Sequence, residues 1–310
     1  MSASLAPEVG AQPPSRTWIF VAFVLVTLIW GSTWIVIRDQ LGPVSPSWSV
    51  TYRFLIAGVT MLAVAAVRRE RLVLDRTGWV FVGAMGLFQF CLNFNFVYEA
   101  ETFITSGLVA AVFALLLIPN AVLGRLFLGQ SLSRAAIIGS VIAMVGVAML
   151  LAAQIRADPN SAVNTLVGVG TTLLGVVSAS CANILQGTQT AKRYPMIPTL
   201  GVAMLVGAVL DAALAWSVAG PPVVEWRLGY LAGTLYLGVI ASALAFTLYF
   251  SIIRVIGAAR AAYTSILVPI IAMVISTLVE GYQWRPIGAA GAVVALVGLV
   301  VAVSARKPAR

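Results

Sequence analysis

The sequence predicts an all-α integral membrane protein with ten transmembrane helices arranged as two inverted five-helix repeats. Three observations carry that expectation. The 310 residues are 61% hydrophobic and only 9% charged, with no histidine, whereas a soluble domain is about 25% charged. The apolar residues fall in blocks of about 20, the length a helix needs to cross ~30 Å of hydrocarbon. The basic residues collect in alternate loops, as the orientation of a polytopic chain demands.

Residues 1–16, "MSASLAPEVGAQPPSR", are polar and read as a disordered tail. The block after them is too long for a signal-peptide core and lacks a small-residue cleavage site, so it counts as the first span. The spans read 17–37, 46–67, 77–98, 102–126, 135–153, 163–191, 198–218, 227–250, 258–278 and 286–304, with a second tail at 305–310. Pro46, Pro198 and Pro286 stand at the starts of the second, seventh and tenth, where a helix has no hydrogen bond to lose. Only "EAE" separates the third and fourth, which predicts a tight helical hairpin.

With the N-terminus inside, fourteen Lys and Arg fall in cytoplasmic segments and four, Arg38, Arg156, Arg227 and Arg285, in outer ones. Six of the ten acids fall outside. A miscounted helix would scramble that bias, so both termini are expected in the cytoplasm of a bacterial inner membrane. The +9 net charge therefore reflects orientation, and no nucleic-acid partner is expected. Cys91 and Cys181 lie 90 residues apart inside apolar blocks and read as packing residues.

The chain repeats itself faintly. Pro119 and Pro269 stand mid-span 150 positions apart, while Pro46 and Pro198, like Gly146 and Gly298, are 152 apart. A unit of five helices is odd, so consecutive copies enter the membrane from opposite sides. Many secondary transporters are built from such inverted repeats. Coincidental prolines in two apolar halves are the bland alternative.

Three stretches carry a family resemblance: "WGSTWIVIRD" in the first span, Arg53 within "SPSWSVTYRFLIAG" in the second, and "LVEGYQWRPIGAAGAVVALVGLVV" at the end of the chain. Together with the helix count, they resemble the drug/metabolite transporter superfamily, specifically its ten-helix exporters with two EamA domains, here 17–155 and 163–304. The likeness leans towards amino-acid and metabolite exporters, including aromatic amino-acid exporters of the YddG type. It implies alternating access through a central cavity. One departure is Gln130, which stands where that family usually has glutamate, while the second repeat keeps Glu280.

The candidate site residues are the polar groups within spans, which are costly at bilayer depth unless they face the bundle interior or a wet cavity. Gln89 and Asn93 share one face of the third span, with Phe96 beyond them, while Asn95 points elsewhere and suits packing. Asn183 and Gln186 do the same in the sixth span. That span is the repeat counterpart of the first, where Trp30 and Trp34 share a face. Ser242, Phe246 and Tyr249 in the eighth span and Tyr263 in the ninth complete the expected lining. The bland alternatives are amides that tie helices together at about 0.6 kcal/mol each and aromatics of an interfacial belt, a reading that suits Trp34, Tyr249 and Tyr263.

Arg53 and Asp211 are the deepest ionisable residues, at matching depths, and read as a gating or helix-end pair; outward snorkelling of Arg53 is the alternative. Pro119 and Pro269 are the expected helix kinks. Glu99, Glu101 and Glu280 read as surface groups, so a proton relay is poorly furnished and facilitated diffusion is favoured.

The motifs contain no metal-ligand cluster, no Gly-x-Ser-x-Gly and no histidine for acid–base work, so no catalytic residue, metal or cofactor is expected. The expected partners are a small-molecule substrate and the lipid bilayer. Small-residue spacings such as Gly139–Ala143, Gly288–Ala292 and Gly291–Ala295 suit packing within a monomer. A homodimer through the fifth or tenth span is the alternative. Hydrophobic cations are the competing substrate class, and they would need Asp211 at the site; a channel or a membrane enzyme ranks lower.

Overall fold

A computed structural model describes residues 16–130, 133–157, 162–256 and 264–303. Ten apolar helices run through these segments: α1 (Arg16–Asp39), α2 (Pro46–Val67), α3 (Arg76–Phe103), α4 (Ser106–Leu128), α5 (Arg134–Ala157), α6 (Ala162–Gln186), α7 (Met196–Ala219), α8 (Leu228–Ile252), α9 (Thr264–Val279) and α10 (Pro286–Val303). No strand occurs among the described residues. In hydrocarbon a helix satisfies its backbone within the segment, which a loop or an open sheet edge cannot do.

Local signals set the ends. Ser45 caps α2 by accepting from the Trp48 amide at 3.4 Å, with Pro46 in the first turn. Asp75 caps α3 by accepting from the Gly78 amide at 2.8 Å. The "EAE" stretch is helical rather than a break, since Glu and Ala are good helix formers. The hairpin turns one step later, at the extended pair Ile104 and Thr105. The sixth span ends at Gln186, and a separate one-turn helix, Gln189–Lys192, follows Gly187 with Thr188 as its cap. Residues 258–263 of the expected ninth span lie outside the described residues.

Helix pairing has two-fold symmetry. α2 packs on α7, α4 on α9 and α5 on α10, each a helix against its own repeat counterpart. The remaining large contacts come in matched sets: α1 with α8 and α9, α6 with α3 and α4, α2 with α8 and α7 with α3. Local distortions repeat as well. A wide π-helical stretch interrupts α3 at Gly86–Leu92 and α8 at Tyr236–Leu244, beginning 150 residues apart. Such bulges widen a helix by one residue and commonly accompany functional sites. The two prolines expected to kink their helices both lie within spans. Pro269 lies inside α9, and a tight 3-10 turn at Ala114–Leu116 precedes Pro119 in α4.

The α5–α10 pair uses the small-residue stripes on itself. A Cβ on Gly146 would fall on the backbone of Ala295 and Gly291, and one on Gly298 would fall on Ala143 and Gly139. Lipid tails are as apolar as leucine, so this closeness replaces a hydrophobic drive between helices. Overpacking costs about 1–3 kcal/mol or more. Gly146→Leu is therefore expected to lower the melting midpoint of the detergent-solubilised protein by several degrees or block its assembly; an unchanged midpoint would refute the close packing.

Asp75 also joins the repeats, accepting from the Tyr194 hydroxyl at 2.5 Å. That bond, with the Gly78 amide, holds the Asp75 carboxyl below the usual carboxylate range and pushes the Tyr194 phenol up. A carboxyl depressed in the folded state binds fewer protons there than in the unfolded chain. Its contribution is full above about pH 4 and is lost as pH falls through the carboxylate range. Thermal melting between pH 7 and pH 3 should show a smaller acid-induced loss in Asp75→Asn than in the parent protein.

Candidate functional site

The two bulged helices and the two repeat-initial helices, α1 and α6, enclose a cavity of ≈ 130 Å³ with α2, α4 and α9. An apolar cavity of about 150 Å³ holds a benzene molecule, so this one admits a solute body of about one ring. Its wall is largely aromatic. Trp30 lies 4.8 Å from Tyr249 and 5.4 Å from Phe246, ring centre to ring centre, while Trp34 lies 5.5 Å from Phe113. Phe246 continues to Phe90 and Phe250 at 5.7 and 5.8 Å. The Trp30 indole N–H donates to the Ala241 carbonyl at 3.2 Å, a group left accessible by the α8 bulge.

Six of the sequence-predicted lining residues come together here: Trp30, Trp34, Gln89, Asn93, Asn183 and Phe246. Tyr249, weighed as a belt residue, lines the cavity, and so do Arg53 and Pro269. Ser242 is fully buried one layer behind, accepting from Arg53 Nε at 3.0 Å. Gln186 points instead at the Met85 sulfur, 3.8 Å away. Tyr263 lies outside the described residues. Thr33, Phe94, Phe113, Phe250 and Thr264 line the cavity without having been singled out. Nothing local marks a phenylalanine as lining rather than lipid-facing. Asn120, which accepts from Asn183 Nδ2 at 3.3 Å, could have been found from its place beside Pro119.

Three lining residues each keep a buried polar atom without a partner: Trp34 Nε1, Arg53 Nη1 and Asn93 Oδ1. Buried polar groups are nearly always bonded, so three orphans around one cavity form a group that a ligand could satisfy. No acid lines this cavity among the described residues.

Arg53 and Asp211 do not pair. The guanidinium bonds to Ser242, while Asp211 Oδ1 accepts from Asn95 Nδ2 at 2.6 Å on a different side of α3. The packing role expected of Asn95 thus has a partner, and Asp211 is not among the cavity residues. Matching depth put the two charges at one level, but helix rotation turned them to different neighbours.

Beyond Ile37, at the end of the bundle where α1 terminates, polar contacts tie the helices together. Arg38 reaches the Glu101 carbonyl and the Glu280 carboxylate, the latter at 3.7 Å. Glu280 in turn accepts from the Ser106 amide at 3.2 Å and hydroxyl at 2.5 Å, satisfying the start of α4. Its repeat counterpart, Gln130, brings no charge to the other end of the bundle. Arg227 grips Asp39 at 3.0 Å and Glu225 at 2.7 Å; the Glu225 contact first and Asp39 second push its guanidinium above the usual arginine value.

Glu101 is not a surface group. It is fully buried, with both carboxylate oxygens unpartnered, because α3 continues through "EAE" and turns it inward. Burying an unpaired charge costs several kcal/mol. Glu101→Gln keeps the shape without the charge, so its thermal midpoint at pH 7 should match or exceed the parent's. A drop of several degrees would show that the carboxylate is paired after all.

The sequence profile of the EamA-like transporter family matches residues 16–152 and again 166–304. Protein PagO of Salmonella typhimurium is 26% identical over 267 residues, covering 85% of this chain and 86% of that protein. The uncharacterized inner membrane transporter YedA of Escherichia coli K12 is 27% identical over 297 residues, covering 91% and 90%. A solved crystal structure shares the fold with a TM-score of 0.69 at 19% identity, over 94% of this chain and all of that one.

Proposed function

The chain belongs to the EamA-like transporter family, and from that premise we propose that it exports amino acids, aromatic ones favoured, by alternating access through the cavity between its repeats. The observation that carries this reading is an aromatic wall interrupted by unpartnered polar atoms. Trp30, Trp34, Phe246 and Tyr249 offer ring faces to an apolar side chain. Trp34 Nε1 and Asn93 Oδ1 offer one donor and one acceptor to the polar end.

Alternating access is supported by the two-fold pairing of the helices and by the ion pairs that join helix ends at Arg38, Asp39, Arg227 and Glu280. With the basic loops inside, that end is the outer one, and both termini lie in the cytoplasm of a bacterial inner membrane. Six acids on that side and the inner-membrane relative are consistent with this placement. The acid-free lining favours facilitated diffusion over a proton carried alongside the solute. It also counts against the competing substrate class, hydrophobic cations, which need a carboxylate at the site.

Counterflow in proteoliposomes tests the proposal. Vesicles preloaded with unlabelled phenylalanine should accumulate the labelled compound, with little change on imposing a pH gradient. Trp30→Ala and Asn93→Ala should each slow that flux at least about tenfold with expression and folding intact. Normal flux in both variants would return these residues to a packing role.

A further inference from the structure

Arg53 is only 1% exposed, yet it forms no salt bridge among the described residues. Its guanidinium lies 4.2 Å from the Phe94 ring centre and 5.4 Å from that of Phe54, and Nε is spent on Ser242. That leaves Nη1, at the cavity wall, without a partner. The other charged or titratable groups that act on it are Tyr98, Tyr236 and Glu101. Glu101 sits beyond the cavity lining beside Arg38 and Glu280, so it does not close an ion pair with Arg53.

A buried cation without a counter-ion is costly, and an anion that enters beside it removes the cost. Arginine is suited to this task, because its planar fork meets a carboxylate with two parallel bonds while its face rests on aromatic rings. Among the described residues the lining offers one positive charge and no negative one. One carboxylate balances it; a phosphate dianion would bring a second charge with nothing to meet it.

We propose that Arg53 is the anchor of a monocarboxylate subsite, so that the cavity selects solutes with one carboxylate on an apolar body of about one ring. This rests on the transport reading above and sharpens it. The carboxylate is the recognised group, and an α-ammonium, met by Asn93 Oδ1, is accepted without being required. Arylalkyl carboxylates and 2-oxo acids therefore fall within the same class as the amino acids.

Ligand-induced shifts in melting temperature of the purified full chain test this, with 3-phenylpropionate, phenylalanine, phenylalaninamide and phenethylamine as probes. The two carboxylates should bind, with the amide and the amine at least about thirtyfold weaker. Arg53→Gln should abolish the difference, and Arg53→Lys should restore part of it, keeping the charge without the fork. The wild-type series stands even if Arg53→Gln fails to fold. Equal binding of phenylalanine and phenylalaninamide would overturn the anchor and leave the amino-acid reading in place. Binding of 3-phenylpropionate without phenylalanine would support the anchor and remove the amino-acid reading. Binding of no probe would remove both.

Discussion

Hydrocarbon supplies no hydrogen bonds to the backbone and no hydrophobic drive between helices, and the architecture follows from those two absences. The first makes every span a helix. The second leaves close contact as the main force between spans, so the bundle is held where glycine and alanine let backbones meet. The α5–α10 pair is the plainest case: Gly139, Gly146, Gly291 and Gly298 each leave no room for a side chain against the facing helix. Three helices of each repeat, α2, α4 and α5 of the first, pair with their own counterparts, so each of these interfaces is matched to itself across the two-fold relation.

The same symmetry creates the cavity. Bulges begin at Gly86 in α3 and Tyr236 in α8. Each re-aims side chains across the interface between repeats, bringing Gln89 and Asn93 from one side and Phe246 from the other to a common space. The two halves are not equivalent in chemistry, however. Both repeats contribute aromatic rings and amides to the lining, Asn183 coming from the second, but its charged side chain, Arg53, comes from the first. A symmetric scaffold thus presents an asymmetric site, which suits a solute with one polar and one apolar end.

Charge is handled in two ways. At the end where α1 terminates, Arg38, Arg227, Asp39 and Glu280 are paired, and Glu280 also completes the start of α4. Inside the bundle, Arg53 and Glu101 are buried without ionic partners of their own. Partnerless groups of this sort are expensive to keep, and one of the two borders the cavity.

The sequence by itself determined the number of helices, their approximate limits and the two-fold relation of the halves. Apolar block length and proline spacing are properties of the chain read in order, and the bilayer enforces them segment by segment. It also marked Gln89, Asn93 and Asn183, which border the cavity, although other amides within the spans, Asn95, Asn120 and Gln186, bond to neighbouring side chains instead. Tertiary structure alone decided what depended on helix rotation and on distant neighbours. It sent Asp211 to Asn95 instead of Arg53, aimed Gln186 at Met85 and turned Glu101 inward, and it chose which phenylalanines face the cavity. Spacing along a helix fixes which residues share a face, but a bulge shifts that face by a residue, and only the packed partner settles what the face meets.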